Sequence, residues 1–242
     1  MKNFLAGTLI AGTLAISSLM QACPAEAVTF ESLPLLTDND FRDLLNSGDF
    51  VESFVVEGRI GTGSSGIHSE RELGINNLLG QPLVAGQLAN WASPYNFSLM
   101  FDGNNITYKL DNQTLTTTVG AKVNRILVRT FAQSGKGNVT LSDLVFNGEV
   151  FSGLLTSDGA GGNDVSYLNI TGFSTPFTLT GKALISANNG AARSQLAYQF
   201  KAGFSPEPIP TPALLPGLIG MGVAVLRKKQ DEEDVEAVAQ DA

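Results

Sequence analysis

From residue 50 onward the chain alternates apolar and polar side chains in short runs, each run broken by Gly, Asn or Asp. A period of two places successive side chains on opposite faces of an extended backbone, so such runs fold as half-buried strands. The runs fall at about residues 51–60, 83–90, 95–101, 105–110, 114–119, 125–131, 138–147, 165–170, 176–186 and 195–201. "FDGNNI" and "KLDNQTL" put turn formers between two such runs and predict hairpins. Ten strands at close spacing, with no strong helical pattern between any two, exclude a parallel α/β sheet. They predict an all-β fold, an antiparallel two-sheet β-sandwich of jelly-roll-like form, with a closed barrel as the alternative. Several strands are shorter than the nine to eleven residues that an outer-membrane barrel needs, and the chain has one Trp.

One short helix is expected ahead of the strands, at about residues 38–46. Asp38 or Asp40 can cap "FRDLLN", Phe41, Leu44 and Leu45 share a face, and Ser47-Gly48 ends it.

The two ends of the chain have a different composition. Lys2 precedes an apolar, small-residue run over residues 4–20, followed by Ala25-Glu26-Ala27. This is the order of a secretory signal helix with a small-x-small cleavage site, and it predicts cleavage after Ala27. The alternative, acylation of Cys23 as a lipoprotein, places Met20 and Gln21 where a branched aliphatic and a small residue are usual. Cys23 is the only cysteine, so cleavage after Ala27 leaves no thiol. A disulfide framework, a thiol nucleophile and Cys-ligated metal are thereby excluded, and a hydrophobic core must hold the domain at residues 28–204 together.

At the far end, Pro206, Pro208, Pro210 and Pro212 recur at every second position and form a linker over residues 205–212 that can enter neither helix nor ladder. "ALLPGLIGMGVAVL" then runs for 14 residues without charge to Arg227, Lys228 and Lys229, and the acidic stretch at residues 230–242 follows. As a helix the apolar run reaches roughly 21 Å, against about 30 Å of hydrocarbon core. Its span is short, and Pro216, Gly217, Gly220 and Gly222 weaken it further. A basic cluster after an apolar segment keeps that end cytoplasmic and the β domain outside, which agrees with the signal peptide.

Pro210-Thr211-Pro212-Ala213, the apolar run and the basic stop at Arg227, Lys228 and Lys229, in that order, resemble the PTPA variant of the PEP-CTERM class of sorting signals on exported bacterial proteins, in this variant typically cyanobacterial. The resemblance implies a precursor held in the inner membrane and processed by an exosortase-like sorting peptidase, then displayed at the cell surface or released outside the cell. Export by Sec-type machinery and signal peptidase is implied with it. "VEGRIG", "VAGQLANW" before "FSLMFDG", "RILVRTFA", and "FTLTGKALIS" followed by "SQLAYQFKAG" are similar to the choice-of-anchor W family of exported bacterial domains, which implies no enzymatic activity.

Between residues 28 and 205 there are 11 Lys and Arg against 15 Asp and Glu, a net charge of −4 with the cations scattered singly. A nucleic-acid surface needs clustered cations, so nucleic acid is excluded as a partner. His68 is the only histidine and lies among the serines of "GTGSSGIHSERELG" with no G-x-S-x-G motif in the chain, so it reads as a solvated loop residue rather than a general base. Glycoside hydrolysis needs two carboxylates across a cleft, for which the pairs are Glu52 with Glu57 and Glu70 with Glu72. Solvated strand-edge charges are the simpler reading of both pairs.

Asp158, Asn163 and Asp164 cluster in "TSDGAGGNDV", a glycine-rich stretch that reads first as a hairpin loop and second as an oxygen-ligand calcium site. No cofactor is otherwise expected. Trp91, Tyr95, Tyr108, Tyr167 and Tyr198 are the aromatics that could stack on a polysaccharide, Trp91 foremost because it sits at a strand end beside Ser93-Pro94, with core packing as the alternative. Five N-x-S/T triplets, starting at Asn96, Asn105, Asn112, Asn138 and Asn169, are compositional. The sequence thus predicts an exported, surface-sorted, non-enzymatic protein, with a carbohydrate-binding module as the second reading and a glycoside hydrolase as the third.

Overall fold

The structure, a computed structural model, describes residues 27–60, 72–86, 88, 91, 93–188, 191 and 194–206. The elements in chain order are β1 (Thr29–Leu33), α1 (Asp38–Ser47), β2 (Val51–Arg59), β3 (Leu73–Asn76), β4 (Pro82–Gly86), β5 (Tyr95–Phe101), β6 (Asn105–Leu110), β7 (Gln113–Thr118), β8 (Arg125–Ala132), β9 (Gly137–Phe146), β10 (Glu149–Val150), β11 (Leu155–Ser157), β12 (Asp164–Thr171), β13 (Phe177–Ala187) and β14 (Leu196–Phe204). They form two antiparallel seven-stranded sheets. The first has the order β1-β12-β8-β14-β2-β3-β4; the second has β10-β9-β13-β5-β6-β7, with β11 also on β9.

Alternation explains the layering. On β14, Leu196, Tyr198, Phe200 and Ala202 are buried between the sheets while Gln199 and Lys201 face outward; on β5, Phe97, Leu99 and Phe101 face in while Ser98 and Met100 face out. Phe200 is a hub, with its ring 4.9 Å from that of Phe97 on the opposite sheet and 5.6 Å from Tyr198 on its own strand. Burial of a side chain of this size contributes about 2–3 kcal/mol. Tyr108 and Tyr198 enter the same core from opposite sheets and share one hydrogen bond, with their hydroxyl oxygens 2.5 Å apart. Burial pushes both phenols up, so each stays protonated and able to donate. Gly58 is required beneath this pair: a Cβ there would enter the Tyr198 ring.

Four strands escape the alternation reading. β3 is buried on both faces, with all four of its residues, Asn76 included, withdrawn from water, so it offers no exposed positions to alternate with. β1, β10 and β11 are five, two and three residues long. The β9–β10 hairpin carried a legible signal, because Asn147 (φ 50°) and Gly148 (φ 93°) form the Asn-Gly pair that favours two-residue turns. β4 ends at Gly86, short of the expected residue 90; residues 87, 89 and 90 lie outside the described ones.

Helix α1 corrects the expected cap. Thr37 is the N-cap: its hydroxyl accepts from the Asp40 amide, and the Asp40 carboxylate accepts from the Thr37 amide at 2.8 Å, a reciprocal box. Gly48, in the left-handed conformation, donates to the Leu45 carbonyl and ends the helix. Asp38 is therefore free of capping duty. Phe41 packs with Phe50, Leu127 and Tyr167 in a small second core on the outer face of the first sheet. The expected signal helix and the expected apolar helix of the tail fall on residues 1–26 and 207–242, outside the described residues, and among those described no helix is long and apolar enough to cross a membrane.

Candidate functional site

The outer face of the first sheet concentrates the polar chemistry of the domain. Tyr167, Arg129, Gln199 and Glu57 stand side by side on β12, β8, β14 and β2, each opposite the next in register. The neighbouring row carries Asn169, Leu127, Lys201 and Val55 on the same four strands. Glu57, Arg129 and Asn169 are buried, which is unusual for such groups on an outer sheet face.

Helix α1 lies over part of this face and supplies the counter-charge. The Arg129 guanidinium donates to both carboxylate oxygens of Asp38, through Nε to Oδ1 at 2.7 Å and through Nη2 to Oδ2, and the Tyr167 hydroxyl donates to Oδ1 at 2.7 Å. Burial pushes the Asp38 carboxyl up, but the hydrogen bonds and charge of Arg129, with Tyr167 and Lys201 adding to them, hold it below the usual carboxylate range. Burial pushes the Tyr167 phenol well up, so it remains a donor.

Lys201 sits between two partners. Its ammonium lies 4.4 Å from the centre of the Phe41 ring and 3.6 Å from the Glu52 carboxylate. That carboxylate contact is an ion pair too long for a hydrogen bond. Burial accordingly dominates both members: it pushes Glu52 up and Lys201 down, each toward its neutral form, against the attraction of the pair. Arg125 donates to Asn169 at 2.8 Å, Asn169 donates on to Glu31 at 3.2 Å, and Gln199 donates to Glu57 at 3.2 Å. The cluster is a set of paired charges, built to hold α1 to the sheet. The sequence signal for it was a cation inside an apolar strand: Arg129 in "RILVRTF" and Lys201 in "LAYQFKAG".

The predicted ligand residues are placed as follows. Trp91 is buried, with its ring edge-on to Tyr95 at 6.2 Å and to Tyr198 at 6.1 Å, so the foremost stacking candidate belongs to the core. Tyr108, Tyr167 and Tyr198 are fully buried as well, and only Tyr95 retains partial exposure. Tyr108 and Tyr198 lie on inward strand positions, with Ile106, Leu110, Leu196 and Phe200 facing the same core, whereas Tyr167 is on the outer face and is covered by α1 through Phe41 and Asp38.

Asp158, Asn163 and Asp164 do come together; the two aspartates accept from amides of their own loop and Asn163 accepts from the neighbouring β8–β9 connection. Asp164 accepts from the Asp158 amide at 2.9 Å, Asp158 from the Ala160 amide at 2.8 Å, and Asn163 from the Ser134 amide at 3.2 Å. Among the described residues no group of three or more His, Cys, Asp and Glu side chains is arranged to hold a metal ion. Glu52 and Glu57 share the outer face of β2 because the β2–β14 register shifts between them, and they are engaged separately: Glu52 pairs with Lys201, and Glu57 accepts from Gln199. His68 and Glu70 lie outside the described residues; Glu72 accepts the Leu88 amide at 2.7 Å.

The described domain also fixes where the chain enters and leaves. Phe30, Ile170, Ile126 and Ala202 lie in one row across β1, β12, β8 and β14. The first strand residue, Thr29, and the last, Phe204, are therefore at the same end of the first sheet, three strand spacings or about 14 Å apart. Ala27 and Pro206, just outside them, are exposed. Ala25 and the residues expected to form a sorting signal, Pro210, Thr211, Pro212, Ala213, Arg227, Lys228 and Lys229, lie outside the described residues.

No protein-family model matches the chain, and no curated protein matches it either.

Proposed function

We propose that the chain is an exported, surface-sorted, non-enzymatic protein of the cell envelope or extracellular matrix, delivered as a β-sandwich and processed at a PTPA-type sorting signal. The observation that carries this reading is the placement of the folded unit between two address segments. The first strand starts two residues after the Ala25-Glu26-Ala27 cleavage motif, and the last strand ends two residues before the proline ladder. Both segments leave from one end of one sheet, so a precursor tethered by either signal presents the same end to the membrane, and neither cut removes a core residue.

Sec-type export, signal peptidase and an exosortase-like sorting peptidase are the partners in this reading, and the choice-of-anchor W resemblance of the domain is in keeping with it. The paired charges under α1 suit a structural role, since each carboxylate named there already has its counter-charge or donor. Mass spectrometry of the protein recovered from the producing cells tests the proposal. The expected mature chain begins at Val28 and ends within residues 210–213. A released protein that still carries residues 227–242 overturns the sorting claim.

A further inference from the structure

The β3–β4 hairpin turns its largest apolar side chains outward. Leu78 and Leu79, at its tip, are 59 % and 80 % exposed, and Leu83 on β4 is 42 % exposed. From Leu73 to Phe101 the sequence carries no Asp, Glu, Lys, Arg or His, so the tip has no charge of its own beside the leucines. Two adjacent leucines that add nothing to the core are costly in water, and such a cluster on a folded surface marks a contact.

The backbone of the tip is already satisfied. The Leu79 and Gln81 amides donate to the Asn77 side-chain oxygen, each at 3.0 Å, the Gly80 amide donates to the Asn77 carbonyl at 2.9 Å, and the Asn77 amide donates to the Gln81 carbonyl at 2.9 Å. Pro82, which follows, has no amide hydrogen. Four donors are thus paired within five residues, which removes the main cost of moving a turn out of water into an apolar medium. Pro82 also opens the edge strand β4, and a strand that begins without a donor is a poor template for pairing with another chain.

Register puts this turn on the rim of the sandwich. Asn76 lies opposite Val55, so the residues after it run level with the start of β2, where Val51, 49 % exposed, is paired with Phe204. The rim beside it is charged: Asp49 is exposed just ahead of β2, and the exposed Lys122 is held there by the Ser53 hydroxyl, which donates to its carbonyl at 3.4 Å. An apolar protrusion within a hydrated rim needs a matching pocket on a protein partner, whereas a fluid bilayer takes it without one.

We infer that the β3–β4 hairpin is a lipid-contacting tip, whose Leu78 and Leu79 enter the boundary between headgroups and acyl chains while the charged rim stays in water. The inference goes beyond the sorting reading and does not depend on it, because the leucines belong to the folded domain.

The test uses the full chain with Cys23→Ser and an environment-sensitive fluorophore on Gln81→Cys, an exposed position beside the leucines, mixed with phosphatidylcholine vesicles that carry a nitroxide on the acyl chain. Asn112→Cys, exposed on the β6–β7 turn at the opposite end, is the control. The probe at 81 is expected to shift to the blue and be quenched, and the probe at 112 to be unaffected. Leu78→Gln with Leu79→Gln should abolish the quenching at 81, leave the circular dichroism unchanged and weaken vesicle binding by at least about tenfold. Flotation with the vesicles reads attachment of the whole chain separately. A chain that floats with the probe at 81 unquenched, or quenching that survives the double substitution, overturns the hairpin contact and leaves the sorting reading standing. A blue shift that grows with protein concentration in the absence of vesicles overturns it in favour of a second copy of the chain.

Discussion

The outer faces of the two sheets solve opposite problems. On the first sheet, Arg129, Lys201, Glu52, Glu57 and Asn169 are withdrawn from water and matched to partners, with α1 and its Asp38 laid over them. On the second sheet, the outward rows are Thr116, Thr107, Met100 and Thr178, and Thr114, Lys109, Ser98 and Thr180, all at least partly exposed. A bare hydroxyl-bearing face keeps its hydration and needs no partner. A covered polar face loses hydration and must recover it through pairing. Stability should therefore depend on single polar side chains on the first face and hardly at all on the second.

The largest effect is expected from Lys201→Met. It leaves Glu52 buried without its counter-charge and should cost about 3 kcal/mol in urea unfolding at pH 7. The sign of its pH dependence follows from Glu52, whose carboxyl is raised in the folded state. Such a group favours the fold when protonated, so the penalty should shrink as pH falls through its folded value toward the ordinary carboxylate range. A penalty that is constant down to pH 4 would show that packing on Phe41, not charge, is what Lys201 supplies. The double variant Glu52→Gln with Lys201→Met should recover most of the loss.

Arg129→Met comes next, at about 2 kcal/mol, because Asp38 is left facing an apolar surface but keeps some access to water. Hydrogen exchange should show lost protection in α1, with the second sheet unchanged. Uniform loss across both sheets would mean that Arg129 holds the sandwich itself rather than the helix.

Asp38→Asn should cost about 1 kcal/mol at pH 7. Here the folded carboxyl is lowered, so the wild-type advantage is present above the unfolded value and disappears as pH falls through the folded one. The gap between the two unfolding curves should close under acid; a gap that widens would contradict the pairing. The smallest effect belongs to the second sheet. Thr107→Val with Thr116→Val, a directly opposed pair on the bare face, should change stability by less than about 0.5 kcal/mol. A larger loss would show that this face is engaged in something the folded monomer does not display.

These contrasts were only partly readable from the chain. The ten expected strands and α1 announced themselves because alternation, the Asp-Gly and Asp-Asn turns and a capping residue act within a few positions of one another. The helix could not reveal which residue caps it, since Thr37, Asp38 and Asp40 all suit the task, and the choice of Thr37 is what releases Asp38 for Arg129. The aromatic candidates misled for a related reason. A tyrosine is apolar enough for a core and polar enough for a surface, and the sequence around Tyr108 or Tyr198 is compatible with both. Their shared hydrogen bond decided it, across 90 residues of chain.

The sequence alone determined the class of fold and set apart the two ends of the chain, residues 1–27 and 205–242, by their composition, because each rests on composition or on a period that repeats locally. The tertiary structure alone decided which polar groups are buried together, that Trp91 is core, and that the chain enters and leaves at one end of one sheet. Those facts depend on strand order and register, which bring Asp38 to Arg129 across 91 residues and Glu57 to Gln199 across 142. Pairing between distant strands is set by how two whole sheets pack, and no local run of residues contains that information.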